Sequence, residues 1–176
     1  LLAQDGDEEH LSPLHVFVRK QIEIFTATPT ELAQPAPGRK QPIQLHQVGL
    51  RCIHCRNAHS TGAKKTRVKR AVCYPSAIGR IYHSVSDMKF DHFTHCKSIP
   101  TEVRQTFESL KAESKSSKEK QSKSGKGSTK GSSSSSTSKY YRDSAARIGL
   151  VDGPGGIIYM GNNHSLSSQQ KPNSQT

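Results

Sequence analysis

The sequence predicts an α+β protein: a small domain of short strands and several helices, followed by a disordered linker and a short helix-turn-strand segment. Three observations carry this reading. Apolar residues make up 31% of the 176 positions, against the roughly 45–50% (Gly included) of an ordinary globular domain. Much of the deficit lies in one tract of Ser, Lys and Gly over 111–139. Four cysteines, Cys52, Cys55, Cys73 and Cys96, all fall within the part that can fold, where a small core usually needs a cross-link or a metal.

The expected boundaries are an acidic, disordered N-terminus over 1–10, a helical lead-in plus cysteine-bearing domain over 11–113, a disordered linker over 114–139, a helix-turn-strand segment over 140–160 and a disordered tail over 161–176. Ser12 and Pro13 read as an N-cap and first helical position. Leu14, Phe17, Val18, Ile22 and Phe25 then fall on one helical face. Thr28 to Glu31 has the spacing of a capping box and opens a short helix through Ala33. Ile43, Leu45 and Val48 suggest a strand from Pro42 to Leu50, feeding into Cys52-Ile53-His54-Cys55. Ala71 to Tyr74 reads as a short strand closed by Pro75. Ser76 is placed to cap a helix with Ile78, Ile81, Tyr82 and Val85 inside, and a further helical stretch runs from Asp87 to Cys96. Pro100 to Glu113 completes the domain, with Val103, Phe107 and Leu110 on one side.

The linker has no apolar periodicity, and its serine runs cannot bury enough area to offset chain entropy. Beyond it, Tyr141, Ala145 and Ile148 are helically spaced, Gly149 stands at a C-terminal cap position, and Gly153-Pro154-Gly155-Gly156 makes a turn before Ile157. This last piece is too short to fold alone, so it either docks on the preceding domain or orders on a partner.

Charge narrows the partners. The chain carries a formal +12, and residues 48–100, with ten Lys and Arg against Asp87 and Asp91, account for +8 of it. Residues 111–139, with eight lysines against two glutamates, add +6. Polyanions are the expected partners: DNA, RNA or acidic proteins. No apolar run approaches the about 20 residues that span a bilayer, and the acidic opening is unlike a signal peptide, so no membrane role is expected. Leu1 in place of Met suggests a fragment or a processed product.

Cys52 and Cys55 form a Cys-x-x-Cys half-site after a strand, a turn that lets two sulfurs reach one ion. His92 and Cys96 are four apart, on one face of the expected helix. Together they make a Cys3His set with C-x2-C-x36-H-x3-C spacing, suited to Zn2+, which prefers four S or N ligands in a tetrahedron. Cys73 is an alternative fourth ligand, although a buried Cys also packs as a small hydrophobe. His83 or His95 could also intrude on the set, but both, with His59, are expected to be ordinary polar or partly buried side chains, and His54, inside the knuckle, to point outward. A redox role for the Cys-x-x-Cys would need a βαβ context, which is missing here. Four protein ligands would leave no open position for water, so the site is expected to be structural.

Several strings carry a family resemblance: the segment Leu11 to Phe25, Val48 to Cys55, Tyr74-Pro-Ser, His92-Phe-x-x-Cys with the following Ile-Pro, and later Tyr140 to Asp152 with Gly156-Ile-Ile-Tyr. Together they resemble a family of zinc-finger-like proteins from diatom genomes. The resemblance implies Cys52, Cys55, His92 and Cys96 as the shared pattern, with an apolar residue commonly at the position of Cys73. It implies no activity. The spacing is also loosely similar to BED-type DNA-binding fingers, although the aromatic signature of those fingers is not evident.

Between the half-sites lie Lys64, Lys65, Arg67, Lys69 and Arg70, five positive charges in seven residues. A segment of this kind can bridge phosphates, act as an import signal or remain a solvated loop. The expected function is that of a non-enzymatic, nuclear zinc-finger protein whose basic surface binds nucleic acid, DNA rather than RNA. The alternative is a zinc-stabilised protein-interaction module, nuclear or cytoplasmic, with no nucleic-acid contact. No phosphate-cradling glycine loop, nucleophile–base pair or carboxylate pair points to an enzyme or a small-molecule substrate.

Overall fold

The computed structural model describes residues 1–33, 41–59, 69–123 and 132–161. Lys64, Lys65 and Arg67 lie outside them, as does the tail from 162 onward. Helices α1 (Asp7–His10) and α2 (Pro13–Lys20) lead into strand β1 (Ile22–Thr26), and helix α3 (Pro29–Ala33) follows. Strand β2 (Val48–Cys52) runs into a 3-10 turn (Ile53–His59), and strand β3 (Val72–Cys73) comes after the basic segment. A 3-10 turn (Ile78–Arg80), helix α4 (Ile81–Asp87) and a π turn (Met88–Phe93) form one continuous rod. Helix α5 (Thr101–Lys123), helix α6 (Ser132–Arg147) and the hairpin of β4 (Leu150–Gly153) and β5 (Gly156–Tyr159) complete the fold. It is the expected mixture of helices and short strands, and the strands pair antiparallel.

The three-stranded sheet has the order β1-β2-β3 and is antiparallel throughout. Ile22 stands opposite Cys52 and Thr26 opposite Val48, while Leu50 faces Cys73. The central strand is therefore the most buried, with Val48, Leu50 and Cys52 sealed from solvent. Ile81, Val85, Met88 and Phe93 bring the α4–π rod into the same core. Each such side chain contributes about 1.5–3 kcal/mol by leaving water.

Three expectations are corrected. The helix opened by Pro13 stops at Lys20, and Ile22 to Thr26 pairs as a strand. Ile22, Ile24, Phe25 and Thr26 are β-branched or aromatic, residues that suit a half-buried pleat, and β2 offers them a ladder that a helical count does not see. The second strand begins at Val48 rather than Pro42, with Leu45 left exposed. The first ten residues are ordered: Leu2 is fully buried, its amide donates to the Ile22 carbonyl at 2.8 Å, and Asp7 is buried in α1. Of the expected linker, 124–131 lie outside the described residues, and its flanks at 114–123 and 132–139 continue the neighbouring helices. Lys, Glu and Gln lose little rotamer freedom in a helix, which accounts for the end of α5. The serine run of α6 extends the packed turn at Tyr140 and Tyr141 by propagation, each added residue gaining a bond without a new nucleus.

The C-terminal block docks on its own chain. Tyr141 and Ala145 are fully buried, the Ile78 amide donates to Asp152 at 2.6 Å, and β5 packs beside β2. A buried polar knot fastens it. Arg19 donates through Nε to Asp7 at 2.7 Å, and through Nη2 to the Leu2 carbonyl at 2.8 Å and Ser144 Oγ at 3.3 Å. Tyr140 donates to the other Asp7 oxygen at 2.9 Å. The guanidinium lies 4.7 Å from the Tyr141 ring centroid, a cation–π contact strengthened by the lack of water.

Candidate metal centre

Cys52 is the last residue of β2, and Cys55 sits one turn later. Their loop is held by the backbone: the Cys52 amide donates to the Ala71 carbonyl at 3.0 Å, and the Ile53 amide to the Gln21 carbonyl at 3.1 Å. His92 lies in the π turn, with Cys96 just beyond it. A π turn widens the helix by one residue per hydrogen bond and frequently occurs at functional positions. Here it replaces the plain helix expected across Asp87 to Cys96.

These elements bring the Sγ atoms of Cys52, Cys55 and Cys96 and a ring nitrogen of His92 within 4.8 Å of one another, and all four residues are buried. Cys55 Sγ is 3.4 Å from Cys96 Sγ and 3.6 Å from His92 Nε2. All the cysteines are free thiols, so this close approach is not a disulfide. Four convergent S and N atoms in a dry pocket form a set that can hold a metal ion. The surroundings fit that role. His92 Nδ1 lies 3.2 Å from the Lys69 carbonyl, which fixes the proton on Nδ1 and aims Nε2 inward, the usual support of a metal-bound imidazole. Arg104 of α5 donates to the carbonyls of Thr94, at 3.3 Å, and Cys96, bracing the loop that carries the last sulfur.

The four groups are coupled through short contacts among Cys55, His92 and Cys96. Burial alone would lower the His92 pKa, but its hydrogen bonds to Cys55 and Cys96 outweigh burial and push it up to about 9. Hydrogen bonds from Cys52 and Cys55 pull the Cys96 thiol well below its usual range, while the Cys52 thiol rises through its bonds to Cys55 and Cys96. A metal ion binds thiolates and neutral imidazole, so an ion entering this cluster would expel the remaining thiol and imidazole protons.

Cys73 stands apart. Its sulfur lies 3.6 Å from Met88 Sδ, in apolar contact outside the cluster, so the alternative fourth ligand is not brought to the site. His54 bonds Gln21 at 2.8 Å, His95 is exposed with Nδ1 near the Asp91 carbonyl, and His83 sits against Tyr82. The His59 side chain lies outside the described residues. Of the five basic residues between the half-sites, Lys69 pairs with Asp91 at 3.1 Å, and Arg70 with Asp87 at 2.8 Å and Asp91 at 2.9 Å. The Lys69 and Arg70 contacts hold the Asp91 carboxyl below its usual range. Sequence reasoning missed Arg104 and the Lys69 carbonyl. A backbone acceptor leaves no residue signature, and Arg104 looks in the sequence like any other helical surface charge.

No helix among the described residues is long and apolar enough to cross a membrane. Comparison with protein-family models, with curated proteins and with solved structures gives no match, so the chemistry of the chain's own residues carries its functional reading.

Proposed function

We propose that the protein is a non-enzymatic, nuclear zinc-finger module in which Cys52, Cys55, His92 and Cys96 hold a structural Zn2+ and the segment Lys64 to Arg70 contacts nucleic acid, DNA in preference to RNA. The observation that carries this reading is the closure of the basic segment at the metal centre. The chain leaves the centre after Cys55 and returns at Lys69, whose carbonyl accepts from the His92 ring. Lys69 and Arg70 are tied to the π-turn and α4 acids, which leaves Lys64, Lys65 and Arg67 as the charges for phosphates. Three thiolates and a neutral imidazole suit Zn2+, and with four protein ligands the ion would be structural rather than catalytic.

Fluorescence anisotropy with duplex and single-stranded DNA and with RNA, at two salt concentrations, tests the reading. The zinc-loaded chain is expected to bind at low salt. Lys64→Glu with Lys65→Glu and Arg67→Glu is expected to flatten the log–log salt slope by about 3, one for each phosphate no longer neutralised. Absence of binding at low salt would eliminate the nucleic-acid part.

An interaction module without nucleic-acid contact would use the Tyr140–Met160 block for partner docking. Tyr140, Tyr141, Ala145, Leu150 and Ile157 of that block are buried against the rest of the chain, which supports an internal structural role for it. Deleting it would expose the core rather than remove a ligand.

A further inference from the structure

We propose that the cleft between the π turn and α5 is a docking site for an acidic peptide segment of a partner protein, with one bulky apolar side chain entering the cleft. This site is separate from the basic segment and does not depend on nucleic-acid binding. The cleft has a volume of about 90 Å3, and its walls include Leu14, Phe90 and Phe107. Leu14 and Phe107 are recessed core residues, whereas Phe90 is 62% exposed, a large apolar side chain left mostly open to solvent. Lys89, Lys111 and Lys115 also line the cleft.

The arrangement of these lysines selects the occupant. Lys89 Nζ lies 4.7 Å from the centre of the Phe90 ring, and Lys111 Nζ 5.5 Å from that of Phe107. Lys89 also approaches His15 Nε2 at 3.2 Å, and Lys111 approaches Glu108 at 3.5 Å. Three ammonium groups around an apolar slot complement a ligand with an apolar anchor flanked by carboxylates, the pattern of acidic helical or extended motifs laid into grooves. A nucleobase would need an open aromatic face to stack on. The Phe90 face carries an ammonium, and the Phe107 ring lies at the floor of a slot sized for one side chain. Carboxylates arriving at the rim would pair with the lysines, and the anchor would fill the slot beside Phe90 and Phe107, the buried centre that usually dominates such an interface.

The test uses the zinc-loaded full chain and a fluorescein-labelled peptide, Asp-Glu-Asp-Phe-Asp-Glu-Asp, with an otherwise identical peptide carrying Ala in place of Phe. Anisotropy is expected to saturate with the first peptide and to require at least about tenfold more protein with the second, a step of about 1.4 kcal/mol. Phe90→Ala is expected to weaken the Phe peptide by at least about tenfold, and Lys115→Glu to weaken it as well. Both positions are exposed, and metal content with amide-shift dispersion checks that each variant folds. Amide shifts on titration are expected at Lys89, Phe90 and Lys111. No binding of the Phe peptide would overturn the proposal, as would equal binding of the Ala peptide or undiminished binding to both variants. Shifts located elsewhere, or an oligothymidine that displaces the peptide from these same amides, would overturn it too.

Discussion

Cys73 and His92 are separated by position along a ladder. Ala71 stands beside Cys52, and Cys73 lies two residues further along β3, opposite Leu50. Two strand residues span about 7 Å, more than the reach of a thiolate that must join the other three sulfur and nitrogen atoms. The ligand pattern was readable because Cys-x-x-Cys and His-x-x-x-Cys are local spacings, each confined to one turn. The π turn was not, since an i+5 bond is selected by what the side chains meet across the core, here Met88 and Phe93 packed under the sheet. Metal analysis of the purified protein should therefore separate the two candidates: His92→Ala is expected to lose bound zinc, whereas Cys73→Ser should retain a full equivalent. Retention by both variants, or loss only in Cys73→Ser, would reassign the fourth ligand.

Elements followed the sequence wherever their signals were short-range. The Thr28 amide donates to Glu31 Oε2 at 2.9 Å, the capping box its spacing implied. Gly149 has φ +82° at the end of α6, the left-handed cap position expected of it. The helix-to-strand change at Gln21 was illegible because the same five apolar residues satisfy a helical face up to Val18 and a pleated one after it, and only β2, some thirty residues away, decides between them. Gly149 is also the cap most sensitive to change. A Cβ there would meet the Gly161 carbonyl oxygen in addition to requiring positive φ, and the left-handed conformation alone costs an L-residue about 1–2 kcal/mol. Gly149→Ala is accordingly expected to lower the midpoint of urea unfolding with m unchanged. An unaltered midpoint would mean the hairpin is not part of the cooperative unit.

At the scale of the whole molecule, the sequence left open whether the C-terminal block docks at home or elsewhere. The answer depends on Arg19, Asp7, Tyr140, Tyr141 and Ser144, which lie far apart in sequence and become a unit only when brought together. Tyr141 reports on that union. Burial, ahead of the opposing effect of Arg19, holds its phenol well above the usual value, and its hydroxyl lies 3.2 Å from His15 Nδ1. A pKa raised in the folded state contributes stability below the unfolded value of about 10, and that stability fades as pH climbs past it. Stability should therefore decline with rising pH above about 10, and Tyr141→Phe should remove part of that slope while keeping the ring in place. An identical alkaline slope in the variant would show that the phenol is not sequestered.

The knot at Arg19 also imposes an order of events on a chain emerging from the ribosome. The four candidate metal ligands lie between residues 52 and 96, so their cluster can close while the remainder is still being made. Arg19 must wait for Ser144 and Tyr141, about 120 residues downstream, and such distant contacts are slow to form. During that interval the Arg19 cation and the apolar seam beneath it face the solvent, and such transiently exposed apolar surface is where incompletely assembled chains tend to aggregate.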